Sequence, residues 1–148
     1  MAGVELGMRI ATVSNNNKPL ASNPPALAKY LMPRLQLSKQ EKFIVILLNS
    51  RNYVIGNKVI SNGTLNNTII HPREVFAPAI INNAAAIAFA HNHPSGEPAP
   101  SQEDMELTHT IMDAGEIMGI PVIGHIIIGQ GCYFSFVEND CKNAKSSE

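Results

Sequence analysis

Residues 84–104 read AAAIAFAHNHPSGEPAPSQED, and the fold turns on how this stretch is divided. The first seven residues are small and apolar and end at two histidines one residue apart, His91 and His93. A short apolar run bounded by breakers reads as a buried strand. Pro94, Gly96, Pro98 and Pro100 punctuate the loop that follows. From Ser101 to about Met118 the spacing of Leu107, Ile111, Ala114 and Met118 predicts a helix with one apolar face.

Upstream, KFIVILLN (42–49) is almost continuously apolar and branched, the pattern of a strand buried on both faces. NSRN marks a turn, and YVIGNKVISNG (53–63) and TLNNTII (64–70) read as further strands of a meander. HPREVFAPAIINN (71–83) predicts a helix with Pro72 at its first position and a kink or early end at Pro78. An earlier helix is expected from Pro25 to about Gln36, interrupted near Pro33. Residues 3–12 alternate as in a strand, and SNNNKPLASNPP is a loop. Downstream, PVIGHIIIG (121–129) and CYFSFVE (132–138) are strands, the second an exposed edge that could pair with a second copy of the chain. NDCKNAKSSE (139–148) reads as a frayed polar tail. Interleaved helices and strands imply an α/β fold with a mixed β-sheet sandwiched by helices.

Composition bounds the function. The chain has 148 residues, 45% apolar and 16% charged, as expected for one globular domain. A net charge of -1 gives no general attraction to nucleic acid or anionic membrane. No apolar stretch nears the roughly 20 residues of a membrane span, and MAGVELGMRI lacks the form of a signal peptide. Cys132 and Cys141 form no CxxC pair, so reduced thiols in a cytoplasmic protein are expected.

The chemistry concentrates at 91–104. In extended backbone, side chains two apart share a face, so His91 and His93 point the same way. Zinc takes imidazole nitrogens at about 2.0–2.1 Å, and Asp104 in the first turn of the next helix can fold back as a third ligand. A competing reading needs no metal: Ser101 and Asp104, three apart, resemble a capping box that starts a helix. Spacing alone leaves both open. Among other histidines, His125 lies in an apolar strand and reads as a core residue, His109 as surface, and His71 as leading into a helix. Asn92 should face away from a metal, and Met8, Met105, Met112 and Met118 read as core filler.

HNHPSGEPAPSQED resembles the JAMM motif of the MPN/JAB metallohydrolases, and together with HPREVF and GHIIIGQGCYFSF it is similar to the RadC subfamily. The resemblance implies a JAB/MPN, cytidine-deaminase-like fold over residues 24–138, with an extension at 1–23 and a tail at 139–148. It implies one zinc ion per chain on His91, His93 and Asp104, with Ser101 contacting the activated water and the developing oxyanion. Glu41, directly before KFIVILLN, matches the family's general-base glutamate; Glu74 is its rival, read instead as a first-turn acid. The implied reaction is hydrolysis of a peptide or isopeptide amide in a peptide or protein substrate.

Two features depart from the RadC pattern. Gly124 stands before His125 where an aspartate is usual, so a second carboxylate near the metal is not expected there. Many RadC proteins also carry an N-terminal helix-hairpin-helix region, which is not expected in a chain of this length, and that puts DNA binding in doubt. The alternative is a non-catalytic DNA-repair or mobile-element accessory module. A deaminase is excluded because H-x-E and P-C-x-x-C are absent. A zincin is excluded because HExxH is absent.

Overall fold

The computed structural model describes residues 11–12, 20–63, 70–137 and 140–143. Among the described residues, seven strands form one sheet: β1 (Ala11–Thr12), β2 (Lys42–Leu48), β3 (Val54–Asn62), β4 (Ala86–Asn92), β5 (Val122–Ile128), β6 (Cys132–Ser135) and β7 (Asp140–Asn143). Their spatial order is β1-β3-β2-β4-β5-β6-β7. Every neighbouring pair is antiparallel except β4 and β5. Parallel neighbours need a crossover, and here it is α3 (Gln102–Met118). The sheet is therefore mixed, as the interleaved pattern predicts.

Strand periodicity builds two cores on opposite faces of this sheet. Ile44, Ile46 and Leu48 of β2 and Ala86, Ala88 and Ala90 of β4 turn towards α1 (Pro24–Leu35). Phe43, Val45 and Leu47, with Ile87 and Phe89, face α2 (Pro72–Ile81) and α3, where they meet Val75, Phe76 and Ile111. β2 and β4 thus bury both faces, which explains their lack of alternation. The small alanines of β4 sit on the α1 side.

Several expectations need correction. Helix α1 runs two residues beyond Pro33 and α2 three beyond Pro78. Each proline lies in a last turn, where the lost amide bond leaves little helix beyond it to disrupt. On α3, Leu107 and Ala114 pack against the core beside buried Ile111 as expected, and Asp104, Thr108 and Gly115 are buried with them; Met118 is exposed, as is Met105, so neither fills the core. Met8 lies outside the described residues. So do residues 64–69, on which most of the TLNNTII strand falls, and all but the last two of the 3–12 strand.

The strand expected over 132–138 ends at Ser135 and pairs on both sides, with β5 and with β7. It is not a sheet edge, and part of the supposed polar tail supplies the neighbouring strand. The reason given for pairing with a second copy therefore disappears. Among the described residues, no helix is long and apolar enough to cross a membrane.

Candidate metal centre

The centre forms at the C-terminal end of β4, where the chain leaves the sheet for the loop to α3. Odd positions of β4 face α3, so His91 continues the row of Ile87 and Phe89 and stacks beside Phe43. His93 follows just beyond the strand, its amide donating to the Ile128 carbonyl at 2.9 Å. The loop is pinned by the Gln130 amide, which donates to the Gly96 carbonyl at 3.1 Å. Close approach is what makes Gly129 obligatory: a Cβ there would collide with that same carbonyl oxygen.

Asp104 arrives from the other side, at the third position of α3. Its Oδ2 accepts the Ser101 N–H at 2.8 Å, while Ser101 Oγ accepts the Asp104 N–H at 3.1 Å, completing a capping box. The capping-box reading is therefore correct, and it leaves the carboxylate placed where a metal could also use it. One carboxylate starts the helix and also faces both imidazoles, with His91 Nε2 3.2 Å from Oδ1 and His93 Nε2 3.4 Å from Oδ2.

His91 Nε2 and His93 Nε2 are 3.1 Å apart. Donors about 2.0–2.1 Å from a tetrahedral ion stand about 3.3 Å from one another, so the three spacings fit a small four-coordinate cation. The chemistry fits as well. His93 Nδ1 donates to the Glu97 carbonyl at 2.9 Å, which leaves the Nε2 of the neutral ring a bare lone pair aimed at the cluster. The hydrogen bond to Asp104 raises the His93 pKa, against an opposing desolvation effect; the Glu97 carbonyl and the charges of Asp104 and Glu41 add to the rise. Burial would push the Asp104 carboxyl up, but His91, His93 and the Ser101 amide overcome it and hold the group well below the usual carboxylate range. His91, His93 and Asp104 together could hold a metal ion, with one donor atom from each within 4.8 Å of the others.

The centre borders a cleft of about 430 Å³ lined by Glu41, His93, Ser95, Ser101, Glu103 and Asp104, among others. Glu41, from the turn before β2, is thus brought to the site, whereas Glu74 is exposed in the first turn of α2 and does not line the cleft. Asn92 faces away from the cluster, as its place between the histidines requires. It is buried, however, and grips the segment carrying Glu41: its Oδ1 accepts the Lys42 N–H at 2.7 Å and its Nδ2 donates to the Gln40 carbonyl at 3.0 Å.

Sequence reasoning missed two contributors. His125 is fully buried, as expected of a core histidine, but its Nε2 lies 3.0 Å from His91 Nδ1. Burial pushes its pKa well down. Thr108 Oγ1 stands 2.6 Å from the other His125 nitrogen. A signal existed, since Thr108 is four residues after Asp104 and therefore on its helix face. His109, one residue further, is exposed as predicted. His71 caps α2 by backbone position, without a side-chain hydrogen bond. Gly124 packs against Leu27 on the α1 face, so a side chain at 124 points away from the centre. The missing aspartate is irrelevant to it.

Comparison with known proteins agrees with this geometry. The family model described as RadC-like JAB domain matches residues 21–141. A UPF0758 protein of Trichlorobacter lovleyi is 45% identical over 138 residues, covering 93% of this chain and 60% of that protein. One from Symbiobacterium thermophilum is 46% identical, covering 93% and 58%, and one from Rubrobacter xylanophilus 45%, covering 94% and 61%. The chain spans about three fifths of the length of these relatives.

Proposed function

Since the chain belongs to the RadC-like JAB domain family, we propose that it is a zinc-dependent hydrolase of peptide or isopeptide amides. One observation carries this reading: two imidazoles and a carboxylate converge, one donor atom each, beside a cleft. That donor set is the one zinc takes in hydrolytic sites, where three protein ligands leave a fourth position for water or substrate. When bound, zinc supplies Lewis acidity and makes water a nucleophile near neutral pH.

The remaining steps belong to the protein's own groups. Glu41, a carboxylate on the cleft wall, takes a proton from the attacking water and returns it to the departing amine. Asn92 holds the backbone on either side of it, so the carboxylate needs little reorganisation. Ser101 Oγ accepts the Asp104 amide hydrogen and keeps its own hydrogen to donate to the oxyanion that forms at the carbonyl. Removing such a donor costs about 2.7–4 kcal/mol of transition-state stabilisation in other hydrolases. In this scheme Ser101 is an electrostatic helper and no acyl-enzyme forms. The substrate is a peptide or protein chain.

The test is a mass-spectrometric screen of a peptide library with zinc-loaded chain, run beside Glu41→Ala. Cleavage by the wild type that disappears in Glu41→Ala, with zinc retained, is the expected result. Equal cleavage by both proteins overturns the assignment.

A further inference from the structure

We propose that His125 and Thr108 form a positioning relay that fixes the metal-binding tautomer of His91 and ties that ring to the backbone of Asp104. This rests on the metal centre proposed above and concerns residues that touch neither metal nor substrate.

The direction of every hydrogen in the relay follows from chemistry. The Asp104 carbonyl can only accept, so the Thr108 hydroxyl donates to it, at 2.7 Å. Thr108 Oγ1 then presents a lone pair to His125 Nδ1 at 2.6 Å, and that nitrogen must carry the hydrogen. The His125 ring is fully buried between Phe89 and Phe136, with centroids at 4.2 and 4.3 Å, an environment that favours the neutral form. In that form its Nε2 is bare and accepts. The hydrogen in the 3.0 Å contact with His91 therefore sits on His91 Nδ1.

His91 Nε2 is consequently bare, and it is the atom aimed at His93 Nε2 and Asp104 Oδ1, at 3.1 and 3.2 Å. The opposite tautomer would place a hydrogen where a cation must sit. One chain of hydrogen bonds thus runs from His91 through His125 and Thr108 to Asp104. It links two of the three ligands through groups the metal never contacts. Partners of this kind orient a ligand ring and raise its basicity. Register makes the relay available: Phe89 pairs with His125 and His91 with Ile127 across the parallel strands, so His91 and His125 share one sheet face.

The experiment reads two quantities on the full chain. One is the tautomer of His91 in zinc-free protein, from two-bond nitrogen–hydrogen NMR correlations. The other is zinc affinity, by competition with a chromophoric chelator. The wild type should show His91 protonated on Nδ1. Thr108→Val and His125→Phe, which keep shape and ring stacking, should bind zinc about 10–100-fold more weakly. Thr108→Ser, which restores the hydroxyl, should bind as the wild type does. A His91 protonated on Nε2, or wild-type affinity in both Thr108→Val and His125→Phe, overturns the relay alone. A wild type that takes up no zinc overturns the metal centre and the relay together. If Thr108→Val does not fold, the wild-type tautomer and the affinity of His125→Phe decide.

Discussion

The side-chain oxygen of Asn92 accepts the backbone N–H of Lys42 at 2.7 Å, across the pair formed by β4 and β2. The residue between the two candidate histidine ligands thereby anchors the neighbour of Glu41. The strand end that carries the candidate ligands His91 and His93 thus also holds, through Asn92, the segment bearing the proposed base Glu41.

Asn92→Leu should expose the importance of that grip. It leaves the Lys42 N–H and the Gln40 carbonyl without their present partner in a part-buried setting. Unsatisfied groups of this kind cost about 1–3 kcal/mol each. Urea denaturation should show a loss of that size, while zinc stoichiometry stays at one per chain because Asn92 does not face the cluster.

Ser101 caps α3, and its proposed catalytic duty is separable from that. Ser101→Ala removes the cap of α3 and should destabilise the protein by about 0.5–2 kcal/mol. Ser101→Asp retains an acceptor for the Asp104 amide and should recover most of this in thermal unfolding. It cannot donate to an oxyanion, so amide cleavage should remain impaired in both variants.

Much of this centre was legible because its residues are close in sequence. A strand, a breaker-rich loop and a helix start bring His91, His93 and Asp104 together through local geometry alone. Glu41 required the family resemblance, since its position depends on β2 lying beside β4. The role of His125 was hidden for a similar reason. Its apolar surroundings correctly announced burial, but its contact with His91 depends on β4 and β5 being parallel neighbours in a particular register. The first helix spans nearly the expected residues without the break expected near Pro33, and α2 continues to Ile81 past Pro78, because each proline falls in a last turn. Three of the four residues of the expected helix stripe, Leu107, Ile111 and Ala114, pack against the core, but hydrophobic periodicity ignores the buried polar positions Asp104 and Thr108.

Acid should destabilise the zinc-free protein through His125. Its folded pKa is lowered by burial, so its contribution is fully present above the unfolded value of about 6.5 and is lost as pH falls below it. One proton linked in this way costs about 1 kcal/mol between pH 7.5 and 5.5. Protonation of His93, whose pKa is raised, acts in the opposite sense, so the loss is read from urea denaturation at both pH values as the part of the wild-type slope that His125→Phe lacks. An equal slope in both proteins would contradict the assignment.

Gly129→Ala should act at a distance. The new Cβ meets the Gly96 carbonyl in the loop that follows His93, so the loop must shift. Overpacking of this kind costs about 1–3 kcal/mol. Calorimetry should record that loss, and chelator competition should record weaker zinc binding in the same protein.

The most direct measurement is the metal content of purified wild type, His93→Ala and Asp104→Ala after equilibration with zinc and removal of excess. One zinc per chain in the wild type and none in either folded variant is the predicted result. A wild type that leaves this treatment without zinc, or variants that retain it equally, would contradict the centre formed by His91, His93 and Asp104.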